Sequence, residues 1–176
     1  MNKEDIFNVL RPIVTSVTGV TEVILANPNA PAPTGVYASI LPIMNISERG
    51  QAIIYHENKT DGTIDRTIKS QLIAECSINF YRGDAHNNAQ LLKQADKIYS
   101  NWLSLYNNKI GWVRTSTVNN LNFLQSNNWE SRSQISIFLS YESNLNVENI
   151  NTIEKVKVII DNKDSEILAD FDVETT

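Results

Sequence analysis

The chain has 176 residues, 41 % of them hydrophobic and 20 % charged, which suits one domain with its own core and excludes disordered and membrane-spanning classes. Its net charge of −5 excludes a general nucleic-acid binder, because such proteins use basic patches to neutralise phosphates. No apolar run reaches the roughly 20 residues that span a bilayer, and the start does not resemble a signal peptide, so we expect synthesis in a cytoplasm.

The first predicted element is an amphipathic helix over residues 5–17. Its apolar residues recur at spacings of three and four, which places them on one face of a helix. Proline is comfortable only in a first helical turn, so we expect Pro12 to kink this helix or to delay its start to near Arg11. Gly19 is expected to end the helix, and residues 20–25 are predicted to form a short strand.

A proline-rich loop is predicted over residues 27–35, which contain Pro28, Pro31 and Pro33. Proline fixes φ and biases the preceding residue toward extended geometry, so this loop should be stiff and polyproline-like. Stiffness lowers the entropy cost of docking, which makes the loop a candidate contact surface. A simple stiff connector is the alternative.

Strands are predicted next over residues 36–46, where Pro42 indicates a sheet edge or a bulge, and over residues 51–57. The Asp-Gly pair at 61–62 is typical of a hairpin turn. Residues 66–81 alternate between apolar and polar side chains, and a period of two over that length predicts a long strand with one buried face. The apolar residues of this alternation are Ile68, Leu72, Ala74, Cys76, Ile78 and Phe80.

One long central helix of about 20 residues is predicted after Gly83, with Asp84 as its N-cap. An apolar stripe along this helix should cover one face of the sheet, so we expect Trp102 to be a core residue and Asn101 to face water. The stripe consists of Leu91, Leu92, Ala95, Ile98, Tyr99, Trp102, Leu103, Leu105 and Tyr106.

Further strands are predicted over residues 112–118, 135–141 and 153–160, the second of them from a clear alternation. The predicted fold class is therefore α+β: a mixed, mainly antiparallel sheet with the long central helix and the N-terminal helix packed on it. Residues 1–160 are predicted to form one domain. The acid-rich residues 161–176 are interpreted as an acidic C-terminal tail, which is either a solvated end or an arm that docks on a neighbour.

The sequence is poor in the groups that catalysis needs. His56 and Glu57 could form an acid/base pair, but adjacent strand residues point to opposite faces. His86 has no cysteine or acid at a spacing typical of a zinc site, and the six glycines are too isolated for a nucleotide-binding loop. Cys76 lies on the buried face of its strand and is interpreted as a core residue rather than a nucleophile. We therefore predict no catalytic residue, no cofactor and no metal.

Residues 23–33 read Val-Ile-Leu-Ala-Asn-Pro-Asn-Ala-Pro-Ala-Pro and lead into Tyr37 on a strand. This segment resembles the Asn-Ala-Pro segment of the phage neck terminator proteins, also called tail terminators. Residues 129–138 resemble the arginine-led strand of the family, with Arg132 in place, and residues 150–156 resemble its closing strand.

The similarity spans roughly residues 5–160 when the two helices are included. Pro28 departs from the family pattern, where a polar residue is expected, and nothing in the family matches the acidic residues after Asp161. The family implies a tail-terminator-like fold for the whole domain.

The resemblance implies a virion structural protein of the phage neck that forms a homo-oligomeric ring, a hexamer, on the head-proximal end of the tail tube. The ring would terminate tube growth and join the tail to the head. Its implied partners are the tail tube protein and the head-completion and neck proteins, while DNA passes through the lumen without specific binding and no membrane takes part. Its implied place is the virion, after assembly in the host cytoplasm. The implied assembly interface consists of Asn27, Pro28, Asn29, Ala30, Pro31, Pro33, Tyr37 and Arg132.

Two alternatives stay open. A head-completion or adaptor protein of the neck would bind the portal in place of the tube protein. A small enzyme of unknown activity would need a pocket with converging polar groups and shifted pKa values, for which the sequence offers no candidate. Trp112 and Trp129 are candidate interface anchors in any assembly.

Overall fold

A computed structural model describes residues 1–27, 31–59, 63–125 and 128–151 of the chain. Helices and a mixed, mostly antiparallel sheet confirm the predicted α+β class at this level. The chain divides into two compact units. Of the described residues, the first unit consists of those within Met1–Gln51 and Ser70–Ser143, and the second of those within Ala52–Lys69 and of residues 144–151.

Helix α1 spans Lys3–Thr18 and opens on a reciprocal cap. The Asn2 side chain accepts a hydrogen bond from the Asp5 amide at 2.8 Å, and the Asp5 carboxylate accepts one from the Asn2 amide at 2.7 Å. Gly19 ends the helix in the left-handed region with φ of 74°, as predicted. Pro12 lies inside the helix, so the expected late start near residue 11 is wrong. The helix buries Ile6, Leu10, Ile13 and Val14.

The strands are β1 (Val23–Leu25), β2 (Tyr37–Glu48), β3 (Ile53–Asn58), β4 (Thr63–Tyr81), β5 (Ile110–Thr115), β6 (Asn119–Asn120), β7 (Phe123–Gln125), β8 (Asn128–Glu130) and β9 (Arg132–Asn151). Their order in the main sheet is β1-β2-β4-β9-β5, with β6 paired to β9 and β3 paired to β4. The β1–β2 pair is parallel, whereas β2–β4, β3–β4, β5–β9 and β6–β9 are antiparallel. Strands β7 and β8 form a separate hairpin.

Strands β4 and β9 hold the centre of the core, and the two alternations that predicted them are confirmed. Every second side chain over 74–80 and 135–141 is buried against helix α1 and its neighbours, since burying one face is what a period of two allows. The opposite face of the same strands is polar and also largely buried. Its buried polar residues are Ser77, Asn79, Ser136 and Ser140, and Ser39 continues this face on β2.

Pro42 lies in β2 at a position where the strand can tolerate the loss of an N–H group. The backbone groups of Ala38 and Ile40 bond on the β1 side of the strand, and Pro42 follows them in the same alternation. Because β1 pairs only as far as Ile40, the missing donor faces a side of β2 with no partner strand among the described residues, and it costs no bond to β4. Pro42 itself pairs in register with Cys76, and the pairing with β4 shifts only beyond it, between Ile43 and Ser47.

The predicted long central helix is replaced by three shorter pieces: α2 (Ala85–Leu92), a 3₁₀ turn (Ala95–Lys97) and α3 (Tyr99–Asn107). Asp84 precedes α2 as expected, but its side chain makes no capping hydrogen bond. Ile98 has an extended backbone that separates the 3₁₀ turn from α3. The Asn101 side-chain amide donates to the Ala95 carbonyl at 3.0 Å and so ties the two sides of the break together.

The break also changes which side chains are buried, and the predicted burial of Trp102 is wrong. Trp102 is 50 % exposed, and Tyr99 and Tyr106 are 73 % and 66 % exposed, whereas Asn101 is only 5 % exposed. The three aromatic rings stack along the outside of α3, with centroids 6.1 and 5.3 Å apart. We call this surface the aromatic ladder.

Candidate assembly site

Two tyrosines lie on the polar face of the main sheet, beside the proline-rich loop. Tyr37 on β2 pairs directly with Tyr81 on β4, and their rings stack at 4.4 Å with an interplanar angle of 6°. Tyr37 is buried, and this burial, followed by the neighbouring Tyr81, raises the pKa of its hydroxyl. The two stacked rings form one flat surface, which we call the tyrosine wall.

Arg82 fixes the end of the proline-rich loop to this wall. Its Nη1 donates to the carbonyls of Pro33 at 2.8 Å and Gly35 at 3.1 Å, and its Nε lies 3.2 Å from a carboxylate oxygen of Glu130. The guanidinium carbon lies 5.9 Å from the centre of the Tyr37 ring. Sequence reasoning missed Arg82, since its partners are 47 to 49 residues away in the chain and no local pattern links them.

Arg132 stands on the other side of the tyrosine wall at the start of β9. Its Nη2 donates to Asn79 Oδ1 at 3.2 Å, and its guanidinium carbon lies 5.0 Å from the centre of the Tyr81 ring. Its Nε is buried and has no hydrogen-bond partner among the described residues. No salt bridge to Arg132 occurs in the described part of the chain either.

These groups surround a cleft of about 380 Å³, which we call the Arg132 cleft. It brings together three of the predicted interface residues, Asn27, Tyr37 and Arg132. The lining of the cleft is completed by Ile24, Ala26, Ala32, Ser39, Leu41, Ser77, Asn79, Tyr81 and Gln134. Inside it, Gln134 Nε2 donates to Ser77 Oγ at 2.6 Å.

The remaining predicted interface residues fall into two groups. Pro31 is exposed on the loop, and Pro33 is half-buried with its carbonyl held by Arg82. Residues 28–30, Pro-Asn-Ala, lie outside the described residues. The predicted strand at 153–160 and the acidic tail at 161–176 also lie outside them.

The candidate catalytic groups are far from forming an active centre. His56 and Glu57 are exposed neighbours on β3. His86 lies on the surface of α2, where its Nε2 and the Nε2 of Gln90 are hydrogen-bonded at 2.9 Å. Cys76 is fully buried, and this burial raises the pKa of its thiol to about 12, which keeps it protonated. Over the described ranges no cluster of three or more histidine, cysteine or acidic residues is arranged to hold a metal ion.

Exposed apolar side chains mark three further surfaces. The second unit contains the β3–β4 hairpin, where every residue of β3 is exposed. In the first unit they occur on the aromatic ladder and on the β7–β8 hairpin, whose Trp129 is 74 % exposed. The apolar residues of the two hairpins are Ile53, Ile54, Tyr55, Phe123, Leu124 and Trp129. Exposed apolar groups of this kind are typical of protein–protein contact surfaces.

Residues 4–164 match the model of a family described as phage neck terminator protein. No curated protein matches the chain. Of the helices that the structure describes, none combines the length and the apolarity that a membrane crossing requires.

Proposed function

Because the chain belongs to the phage neck terminator protein family, we propose that it forms a homo-oligomeric ring, a hexamer, which caps the head-proximal end of the tail tube. Capping requires one face that is complementary to the last ring of the tube and another that cannot accept a further tube subunit. The ring terminates tube growth in this way and joins the tail to the head.

The exposed apolar surfaces are the observation that carries the proposal. Exposed apolar side chains give no advantage to a protein that works as a monomer in water, yet Ile53, Ile54 and Tyr55 on β3 are all at least half exposed. Burial of such side chains against a neighbour is favourable by about 25 cal/mol for each Å² of apolar surface removed from water. Contacts of this kind supply the energy that a ring and its seat on the tube need.

The partners follow from that role. The tail tube protein contacts one side of the ring, and the head-completion and neck proteins contact the other. DNA passes through the lumen without specific binding. The chain is assembled in the host cytoplasm and then belongs to the virion. Membership of a structural family argues against an enzyme.

The experiment that tests the proposal measures the mass of the particle and the length of the tube. The purified chain should give a native mass of six subunits, alone or with tube protein. Tube protein polymerised in its presence should form tubes capped at one end in negative-stain images. Tubes that keep growing at both ends would contradict the terminator role, and a chain that binds portal but not tube protein would support the head-completion alternative.

Variants on β3 sharpen this test. Ile54→Ser removes an exposed apolar side chain and should weaken ring formation or tube binding without lowering the unfolding temperature, since it leaves no cavity. Glu4→Gln, at the exposed start of α1, is the matched control and should assemble as the parent chain does.

A further inference from the structure

The Arg132 cleft contains one positive charge and no negative one. Its lining of hydroxyl, amide and apolar groups includes no carboxylate from the residues that the structure describes. In that part of the chain Arg132 contacts only neutral groups, the Asn79 amide oxygen and the Tyr81 ring. Arg82, by contrast, has the Glu130 carboxylate beside it. A half-buried guanidinium that lacks a counter-charge favours an incoming carboxylate, which it can bind through two parallel hydrogen bonds.

The matching negative charge lies in the same sequence. Residues 161–176 hold six of the 20 acidic residues and one of the 15 basic ones, which leaves fourteen of each sign in residues 1–160. The net charge of the chain is therefore the charge of this segment alone. Over residues 170–174, Asp-Phe-Asp-Val-Glu, acids alternate with apolar side chains. Such a segment offers carboxylates to a guanidinium and apolar groups to a tyrosine wall.

We propose that the Arg132 cleft binds carboxylate side chains of the acidic segment 161–176 of a second copy of the chain, with the Arg132 guanidinium as the anchor. The inference rests on the proposed ring, in which every cleft has a neighbouring copy beside it. The contact joins the cleft of one subunit to the acidic segment of the next. Heterologous contacts of this head-to-tail kind close into rings when the rotation between subunits allows it.

A peptide titration tests the proposed ligand on full-length protein. In the host chain all six acids of residues 161–176 are changed to their amides, so that it cannot fill the cleft of a second copy. A labelled peptide with the natural sequence of 161–176 is then added, and its fluorescence anisotropy is followed. We expect saturable binding that weakens as salt is raised, because salt screens charges. A second peptide with six amides should not bind, and equal binding of both peptides would overturn the proposal.

Variants of Arg132 test the anchor. Arg132→Gln in the host chain should weaken peptide binding by about tenfold or more, since it removes a charge-assisted contact. Arg132→Lys keeps the charge but loses the planar fork of the guanidinium. Its peptide affinity should fall between that of the parent host chain and that of the Arg132→Gln variant. Arg11→Gln, exposed on α1, removes an equal charge elsewhere and should change nothing. If neither Arg132 variant changes the peptide affinity, the proposal is overturned. It is also overturned if a DNA oligonucleotide binds more tightly than the peptide and this binding depends on Arg132.

The outcomes for the ring and for the cleft are separable. Ring mass and tube capping are measured on the unaltered chain, and peptide affinity on the amide-bearing host. A ring that forms while the peptide fails to bind removes the acidic segment from the interface and leaves the terminator role intact. Binding of the peptide that depends on Arg132, in a chain that never forms a ring, supports the site and contradicts the ring.

Discussion

Cys76 lies within β4 with its side chain fully buried. Burial withdraws the thiolate from water and raises the pKa of the thiol to about 12, with a further contribution from the nearby Glu75. A thiol that stays neutral at physiological pH is a poor nucleophile, because the thiolate is the reactive form. Its role as a core residue therefore follows from its position in the fold.

Replacing this thiol should have a small and pH-dependent cost. Cys76→Ala should lower the free energy of unfolding by about 1 kcal/mol near neutral pH, because it removes a buried sulfur, and should leave the oligomer mass unchanged. Above pH 9 the unfolded thiol loses its proton while the folded thiol keeps it up to about 12, so the parent chain loses stability that the variant does not. Urea unfolding at several pH values measures the difference. A Cys76→Ser chain that is stable yet fails to assemble would restore a functional role for the thiol.

Asn101 and Trp102 form a matched pair, because their environments are the reverse of what their types suggest. Asn101→Ala removes the buried bond to the Ala95 carbonyl and should destabilise the fold by about 1–2 kcal/mol. Trp102→Ser should cost less, since half of this side chain is already exposed and its stacking contacts with Tyr99 and Tyr106 lie on the outside of α3. Chemical denaturation ranks the two variants. A larger loss at Trp102 would mean that the ring is a core residue after all.

Strands and helices differ in how far the sequence predicted them, and the reason is physical. β4 and β9 were predictable because their alternation is local and each buried face is filled by residues two apart. The break between α2 and α3 was not predictable, because residues 91–106 keep helical spacing, and no local pattern indicates the bond from Asn101 to the carbonyl six residues earlier that bridges the break. Arg82 was missed for a similar reason, since its contacts join segments that are distant in sequence.

The proline-rich loop gives a prediction at the scale of an element. Changing Pro28, Pro31 and Pro33 to glycine should leave the unfolding temperature nearly unchanged, because Pro31 is exposed and Pro33 is held through its carbonyl oxygen. Assembly should weaken, since a loop with glycine loses more conformational entropy on docking than a loop with proline. Thermal unfolding and native mass are the two measurements.

Pro12→Ala, inside α1, serves as the control for proline removal and should not affect the oligomer. If the melting temperature falls together with the oligomer, the loop is part of the core. If neither changes, the loop is a connector and the interface lies elsewhere.

Closed assembly is the prediction that belongs to the whole molecule. Because residues 1–160 carry equal numbers of acidic and basic side chains, charge repulsion between these parts of neighbouring subunits is weak, and the exposed apolar surfaces can meet. Light scattering should therefore show a single species larger than a monomer, with a mass that stays constant on dilution over a wide range. A strictly monomeric chain at high concentration, with or without tube protein, would count against the ring.

Pro42 affects which side of the sheet can accept a further strand. Beyond Ile40 the outer side of β2 lacks one of the donors that a new strand would need, so a chain that approached there would leave an acceptor unsatisfied. Strand addition, the simplest way for one subunit to recruit the next without limit, is discouraged on that side. A single pyrrolidine ring thus works against open-ended polymerisation along this edge, which agrees with the terminator role proposed above.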